Sequence, residues 1–327
     1  MAAAANAIFT YYTQQVAIYV GFPVLIAGII GETLNIIVFM SLHTFRQSSC
    51  AFYLLIMSCV DIGQLITGLF TRILIAGFGI DWTLSSLFYC KFRAYFRQVC
   101  ALISLSCFCF ATIDQFLATS SRVYWQQWSN IKVARRLCLI TSIIWILHGI
   151  PCLIYFNIIQ STTTGSLSCT PTNTIFNQYF TYAYSAGLAG YLPIIITILF
   201  GSLAYYNVQQ IAYRVVPLVR RELDKQLTIM VLILDIVNII PLVPSAITLV
   251  LTSVIDSTQN PVIARRIQFS SDLSIILYFV HYACAFYVYV CASERFRLQL
   301  VHVLFKIHLG RWQRRKVAAV LPLPPQG

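Results

Sequence analysis

The chain has 327 residues, 59% of them hydrophobic and only 10% charged, with a mean hydropathy of +0.77. That is more apolar surface than a water-soluble domain can hide and fewer charges than its exterior would need, so composition excludes a soluble fold and makes the bilayer the solvent. The formal net charge of +12 does not mark a nucleic-acid binder, because the basic residues sit in short segments between apolar spans, where anionic lipid headgroups are their natural neighbours.

Seven segments are apolar over the roughly 20 residues that a membrane helix needs. They run near 16–40, 51–75, 87–117, 137–157, 180–208, 227–251 and 269–291. Each must be helical, because hydrocarbon offers backbone N–H and C=O groups no other partner. The first carries Glu32 one turn from Asn35 and is expected to act as its own insertion signal, since no basic start of a cleaved signal precedes it. Asp61 falls near the middle of the second. The third opens with Cys90, Lys91, Arg93 and Arg97, and the two arginines, four apart, share a face. From Leu137 to Tyr213 there is no Asp, Glu, Lys or Arg; the stretch is too long for one crossing and divides at the polar segment 160–177, which reads as a loop. The sixth span holds Asp235 and Asn238, three apart and read as facing the bundle, together with Pro241 and Pro244. His148 in the fourth and His281 in the seventh lack metal-ligand spacing and read as satisfied interior histidines. After the seventh, Phe296, Leu300, Val303, Leu304 and Ile307 recur at helical spacing, the pattern of an interfacial amphipathic helix.

The fold class is therefore an all-α membrane protein, a seven-transmembrane helix bundle with a short amphipathic eighth helix. One domain occupies 1–309, and a short basic, proline-rich tail follows over 310–327. Sixteen of the 22 Lys and Arg residues lie on the face that holds the first, third and fifth loops and the carboxyl tail, so that face is expected to be cytoplasmic and the amino terminus extracellular, in the plasma membrane. Most of the 11 cysteines lie inside spans, where a thiol is a small apolar group. Cys90 and Cys169 differ, both falling on the expected outer side.

These residues resemble those of rhodopsin-like (class A) G-protein-coupled receptors, in a divergent form such as invertebrate peptide or chemosensory receptors show. Gly31 to Asn35 is similar to the family's Gly-Asn element, Leu55 to Asp61 to its Leu-x-x-x-x-x-Asp stretch, and Phe286 to Tyr289 followed by Phe296 to the end of its seventh helix; Trp145, Pro193 and Pro244 fall mid-span in the fourth, fifth and sixth. The resemblance implies a disulfide between Cys90 and Cys169. It implies an ion pocket in which Asp61, Asn35 and Ser104 bind sodium, the one cofactor expected, with His281 near the position that Ala285 leaves without a polar ligand; a protonated Asp61 in an interhelical hydrogen-bond cluster is an equal alternative. Asp114, Gln115 and Phe116 stand where the family has Asp-Arg-Tyr, and with Tyr289 they are the expected G-protein coupling residues. Arg93, Arg97, Gln98 and Ala101 are the expected ligand-binding residues. Arg97 occupies the position of the aspartate with which amine receptors hold an ammonium, so an anion or an acidic peptide is expected and not an amine. Arg72, Arg265 and Arg266 extend this to a basic vestibule, for which lipid headgroup contact is the competing reading.

The chain departs from the family pattern at Gln115, at Leu242 in place of a tryptophan, and at Ala285 and Phe286 in place of Asn-Pro. No lysine occurs between Lys225 and Lys306, which excludes a retinal Schiff base. The expected partners are an extracellular ligand, a heterotrimeric G protein and membrane lipids, with no nucleic acid. An enzyme is not expected, as neither His-x-x-x-His nor Gly-x-Gly-Asp occurs. The alternative is a small ion- or proton-coupled transporter using Asp61, Asp235 and His281.

Overall fold

The computed structural model describes residues 2–41, 43–160, 167–211, 218–254 and 261–309. Six helices are long and apolar enough to span a bilayer: α1 (Ile8–Ser41), α2 (Ser49–Phe78), α3 (Leu87–Thr119), α4 (Ile131–Tyr155), α5 (Thr174–Gln210) and α6 (Leu218–Val254), whose apolar span is Gln226–Thr252. The seventh crossing is made in two pieces, α7 (Pro261–Tyr278) and α8 (Ala285–Ala292), and the amphipathic helix α9 (Glu294–Val301) follows. The chain is thus a multi-pass membrane protein with a seven-helix bundle. The expected tail, 310–327, lies outside the described residues, as does Arg214 in the fifth loop.

Burial sorts the helices. In α3, 72% of the apolar window is buried inside the bundle, against 17% in α4, so α3 is the central post and α4 leans on it with most of its surface toward lipid. Leu139, Ile143, Leu147 and Ile154 of α4 are all exposed, as hydrocarbon permits and water would not. The largest core cluster joins α1, α2, α3, α6 and α8 around Phe39, Leu54, Met57, Phe108, Leu234 and Tyr289.

Three features differ from the sequence expectation. Helix α1 begins before residue 16, because the Ala-rich start is a good helix former; it docks beside α2, where Gln14 Nε2 donates to Gly77 O at 2.8 Å. Within the expected loop 160–177 lie strand residues: β1 (Phe156–Gln160) and β2 (Leu167–Pro171) pair antiparallel with Ile158 opposite Cys169. A disulfide joins Cys169 to Cys90 at the start of α3, with Cα atoms 5.9 Å apart, and pins this hairpin across one end of the bundle. The seventh span, expected to be one helix, tightens after Tyr278: His281 N donates to Tyr278 O at 3.2 Å and Ala283 N to Val280 O at 3.0 Å, three-residue spacings that mark a 3₁₀-like stretch where hinges often sit.

Two wider turns also shape the interior. Residues Leu65–Phe70 of α2 and Tyr179–Tyr191 of α5 are π-helical, and Ser185 Oγ donates to Phe180 O, five residues back, at 2.8 Å. Each π turn inserts an extra residue and rotates the faces that follow, a device common at functional sites.

Candidate functional site

Toward the Cys90 end, α2, α3, α5, α6 and α7 enclose a cavity of about 230 Å³. Gln64, Arg97, Tyr184, Leu242, Ser271 and Tyr278 are among its lining residues. The Arg97 stem lies against α2 at Gly68, where a Cβ would sit 3.7 Å from Arg97 Cδ, an ordinary contact, but only 2.6 Å from the Phe279 ring. Among the described residues Arg97 makes no hydrogen bond or ion pair. A partly buried guanidinium without a counter-ion has lost hydration and gained nothing, so the position favours an incoming anion.

The other cations of the expected basic vestibule are placed differently. Arg72 is neutralised by Asp272 at 2.5 Å, the one ion pair among the described residues. Arg93 turns toward α2, where its Nε donates to Thr67 O at 3.2 Å. Arg93 is near enough to Arg97 and Arg72 to feel their like charges, which strengthens the positive field at Arg97. Arg266 is exposed. Gln98 points to α4 and not into the cavity: its Nε2 donates to His148 Nδ1 at 2.9 Å, and Cys152 Sγ donates to its Oε1 at 2.5 Å. Ala101 is buried one turn below Arg97 and does not line the cavity. Of the four expected ligand residues, the cavity brings in Arg97.

Deeper in the bundle a polar cluster gathers Glu32 and Asn35 of α1, Ser58 and Asp61 of α2, Ser104 of α3, Asn238 of α6 and His281 of the seventh crossing, all buried. Asn35 Nδ2 donates to Glu32 Oε2 at 3.1 Å, and Asp61 lies within reach of the Glu32 charge. Oxygens left without a partner are Asp61 Oδ1, Glu32 Oε1, Asn35 Oδ1, Ser58 Oγ and Ser104 Oγ. His281 is not the satisfied histidine expected from sequence. Neither ring nitrogen has a partner, because the tightened turn wedges the ring between Phe108 and Tyr282, at 5.6 and 4.7 Å. His148 is satisfied, by Gln98 and by the Tyr179 hydroxyl. Cys284 Sγ donates to Asn238 Oδ1 at 3.4 Å, tying α6 to the broken segment.

At the far end of α3, Ser49 Oγ donates to the Asp114 carboxylate, 2.8 Å from both oxygens, and lies 3.2 Å from Ser129 Oγ. Thr228 Oγ1 of α6 donates to Gln115 Oε1 at 2.7 Å. Phe116 packs on Phe200 of α5 at 5.5 Å and faces Trp125 at 6.5 Å. Tyr289 is fully buried between Phe39 and Phe296, with its hydroxyl unpartnered. Ser293 caps α9 by accepting from Phe296 N at 3.2 Å and also donates to Gln226 Oε1 of α6.

Over residues 32–293, most of the chain, the sequence matches the family model of the 7 transmembrane receptor (rhodopsin family). The chain is a rhodopsin-family receptor. No curated protein matches it. The receptor's match begins at Glu32, late in α1, covers the second to seventh crossings and stops at Ser293, the cap of α9.

Three of the receptor's placed residues escaped the sequence reading. Gln64, 1% exposed and lining the cavity with Oε1 unpartnered, was legible by the rule that a polar side chain in mid-membrane needs a partner or a use. Tyr278 carries no such signal, one tyrosine among 19. Thr228 is equally silent, since a threonine in a helix ordinarily bonds its own backbone.

Proposed function

We propose that the receptor lies in the plasma membrane with its amino terminus outside, binds an anionic extracellular ligand in the cavity, and passes the event to a heterotrimeric G protein at the Asp114 end. The observation that carries this is Arg97, exposed to the cavity with no acid to pair with among the described residues. The ligand must favour the signalling arrangement over the resting one, and a charge-assisted bond to Arg97 supplies that difference only if the helices around it reposition. The path is short. Tyr278 lines the cavity and its hydroxyl lies 2.5 Å from that of Tyr282, inside the tightened turn whose next residues meet α6 through Cys284 and Asn238. Leu242 of α6 is in the cavity wall, and the same helix carries Thr228, whose bond to Gln115 holds α6 against α3. Where the family uses an ionic contact, this receptor uses an uncharged latch, and its release opens the cleft that a G protein enters.

The unpartnered oxygens of Asp61, Asn35 and Ser104 form a hard donor set suited to a sodium ion, and Glu32 adds a second carboxylate. When bound, the ion would supply the positive charge that lets both carboxylates stay ionised in the resting arrangement.

In cells expressing the receptor with a G-protein reporter, a panel of small carboxylates and acidic peptides is expected to include an activator. Arg97→Ala should weaken it about 10- to 100-fold, the worth of one charge-assisted hydrogen-bonded pair, with surface expression unchanged. Unaltered potency in that variant would defeat the reading.

A further inference from the structure

The cavity narrows the ligand further, a step that rests on Arg97 as the anion's partner. We infer that the ligand is a small aromatic or cyclic organic acid of roughly a dozen non-hydrogen atoms, bearing a hydroxyl about one helical turn from its acid group that is held by Gln64.

Size comes first. A cavity of about 230 Å³ has room for one ring and a short acid arm. The wall sets the body of the ligand: Phe180, Tyr184, Ile275, Tyr278 and Phe279 surround the space, surfaces that reward a flat apolar group. No Asp or Glu is among the described lining residues, so an ammonium would meet no counter-charge among them, which argues against a zwitterionic amino acid as well as an amine.

Gln64 provides the second polar anchor. Its amide is buried, its Oε1 has no partner, and it lines the same cavity as Arg97. A buried amide oxygen left unbonded is destabilising, so a ligand hydroxyl donating to it removes a standing penalty. Spacing follows from α2: Gly68, against which the Arg97 stem lies, is four residues after Gln64 and hence about 6 Å along the helix, roughly one turn. The two anchors are therefore at different depths, with the acid above and the hydroxyl below.

The test uses the full-length receptor in lipid nanodiscs and four probes: para-hydroxyphenylacetate, phenylacetate, tyramine and a glutamate tetrapeptide. Affinity is read from ligand-induced thermal stabilisation. The wild type should hold para-hydroxyphenylacetate about tenfold more tightly than phenylacetate and should not bind tyramine. Gln64→Leu, which fills the same space without an orphan amide, should bind the two acids equally, at the wild-type affinity for phenylacetate. Equal affinity of both acids for the wild type would overturn the hydroxyl anchor, and stabilisation by the tetrapeptide alone would overturn the small-acid class; in either case Arg97→Ala still weakens binding about 10- to 100-fold and the anion reading survives. If Arg97→Ala binds the probes as the wild type does, the anion reading itself fails, and this inference falls with it.

Discussion

At the residue scale, the exchange of arginine for Gln115 sets the energetics of the resting state. An arginine held by acids must shed several kcal/mol of electrostatic attraction on release, whereas the Gln115–Thr228 bond, at 2.7 Å between buried partners, is worth about 1 kcal/mol net. The resting state is then shallow. Thr228→Val removes the donor while keeping the shape of the side chain, and should raise ligand-free signalling about fivefold in a reporter assay at matched surface density. Basal output that stays level would mean that α6 is held elsewhere. Asp114 accepts from Ser49 on α2, so these two neighbours on α3 reach different helices.

At the scale of elements, the seventh crossing departs furthest from its sequence. Residues 269–291 contain no proline or glycine, and nothing local announces a break. The interruption is tertiary: α1 has glycine at 28 and 31, and a Cβ at 28 would lie 2.8 Å from Ala283 Cβ and 2.6 Å from Leu65 Cδ1. The irregular turn thus presses into the space those glycines leave, a small-residue contact of the kind that brings membrane helices close. Gly28→Val should cost about 2–3 kcal/mol through overpacking, seen as a clear fall in the melting temperature of the purified receptor. A variant as stable as the wild type would show that α1 can retreat without penalty. Helix α2 ends by a different rule. Gly79 has φ of +69°, and the bonds Gly79 N to Ile75 O and Ile80 N to Leu74 O close its last turn; Gly79→Ala should cost about 1 kcal/mol from the left-handed backbone alone, a smaller thermal shift than at Gly28.

For the whole molecule, the Cys90–Cys169 disulfide closes a loop with a sequence separation of 79. Chain-entropy arguments give such a closure about 4–5 kcal/mol, and here it also ties the β hairpin to the start of α3. Cys169→Ser should lower the yield of folded receptor and its melting temperature together, and non-reducing mass spectrometry of the wild type should recover the two cysteine peptides joined. Two free thiols there would leave the hairpin untied from α3. Orientation is tested separately: an impermeant thiol reagent applied to intact cells should label Ser168→Cys in the hairpin and spare Arg135→Cys at the start of α4, and the reverse pattern would invert the proposed topology.

The number of crossings, the family and the identity of the amphipathic helix were all legible in the amino-acid order, because partition into lipid depends on composition over about 20 consecutive residues and on nothing distant. Asp61, Asp235 and Asn238 were likewise readable as interior residues, since hydrocarbon would not solvate them. Which polar group meets which partner was not. Gln98 and Arg97 are adjacent in the chain, yet one turns to α4 and the other to the cavity, and Thr228 finds Gln115 across 113 residues. Such pairings depend on the rotation and depth of each helix against its neighbours, set by where glycines permit close approach and where π and 3₁₀ turns shift the register. Those quantities exist only once the bundle is assembled.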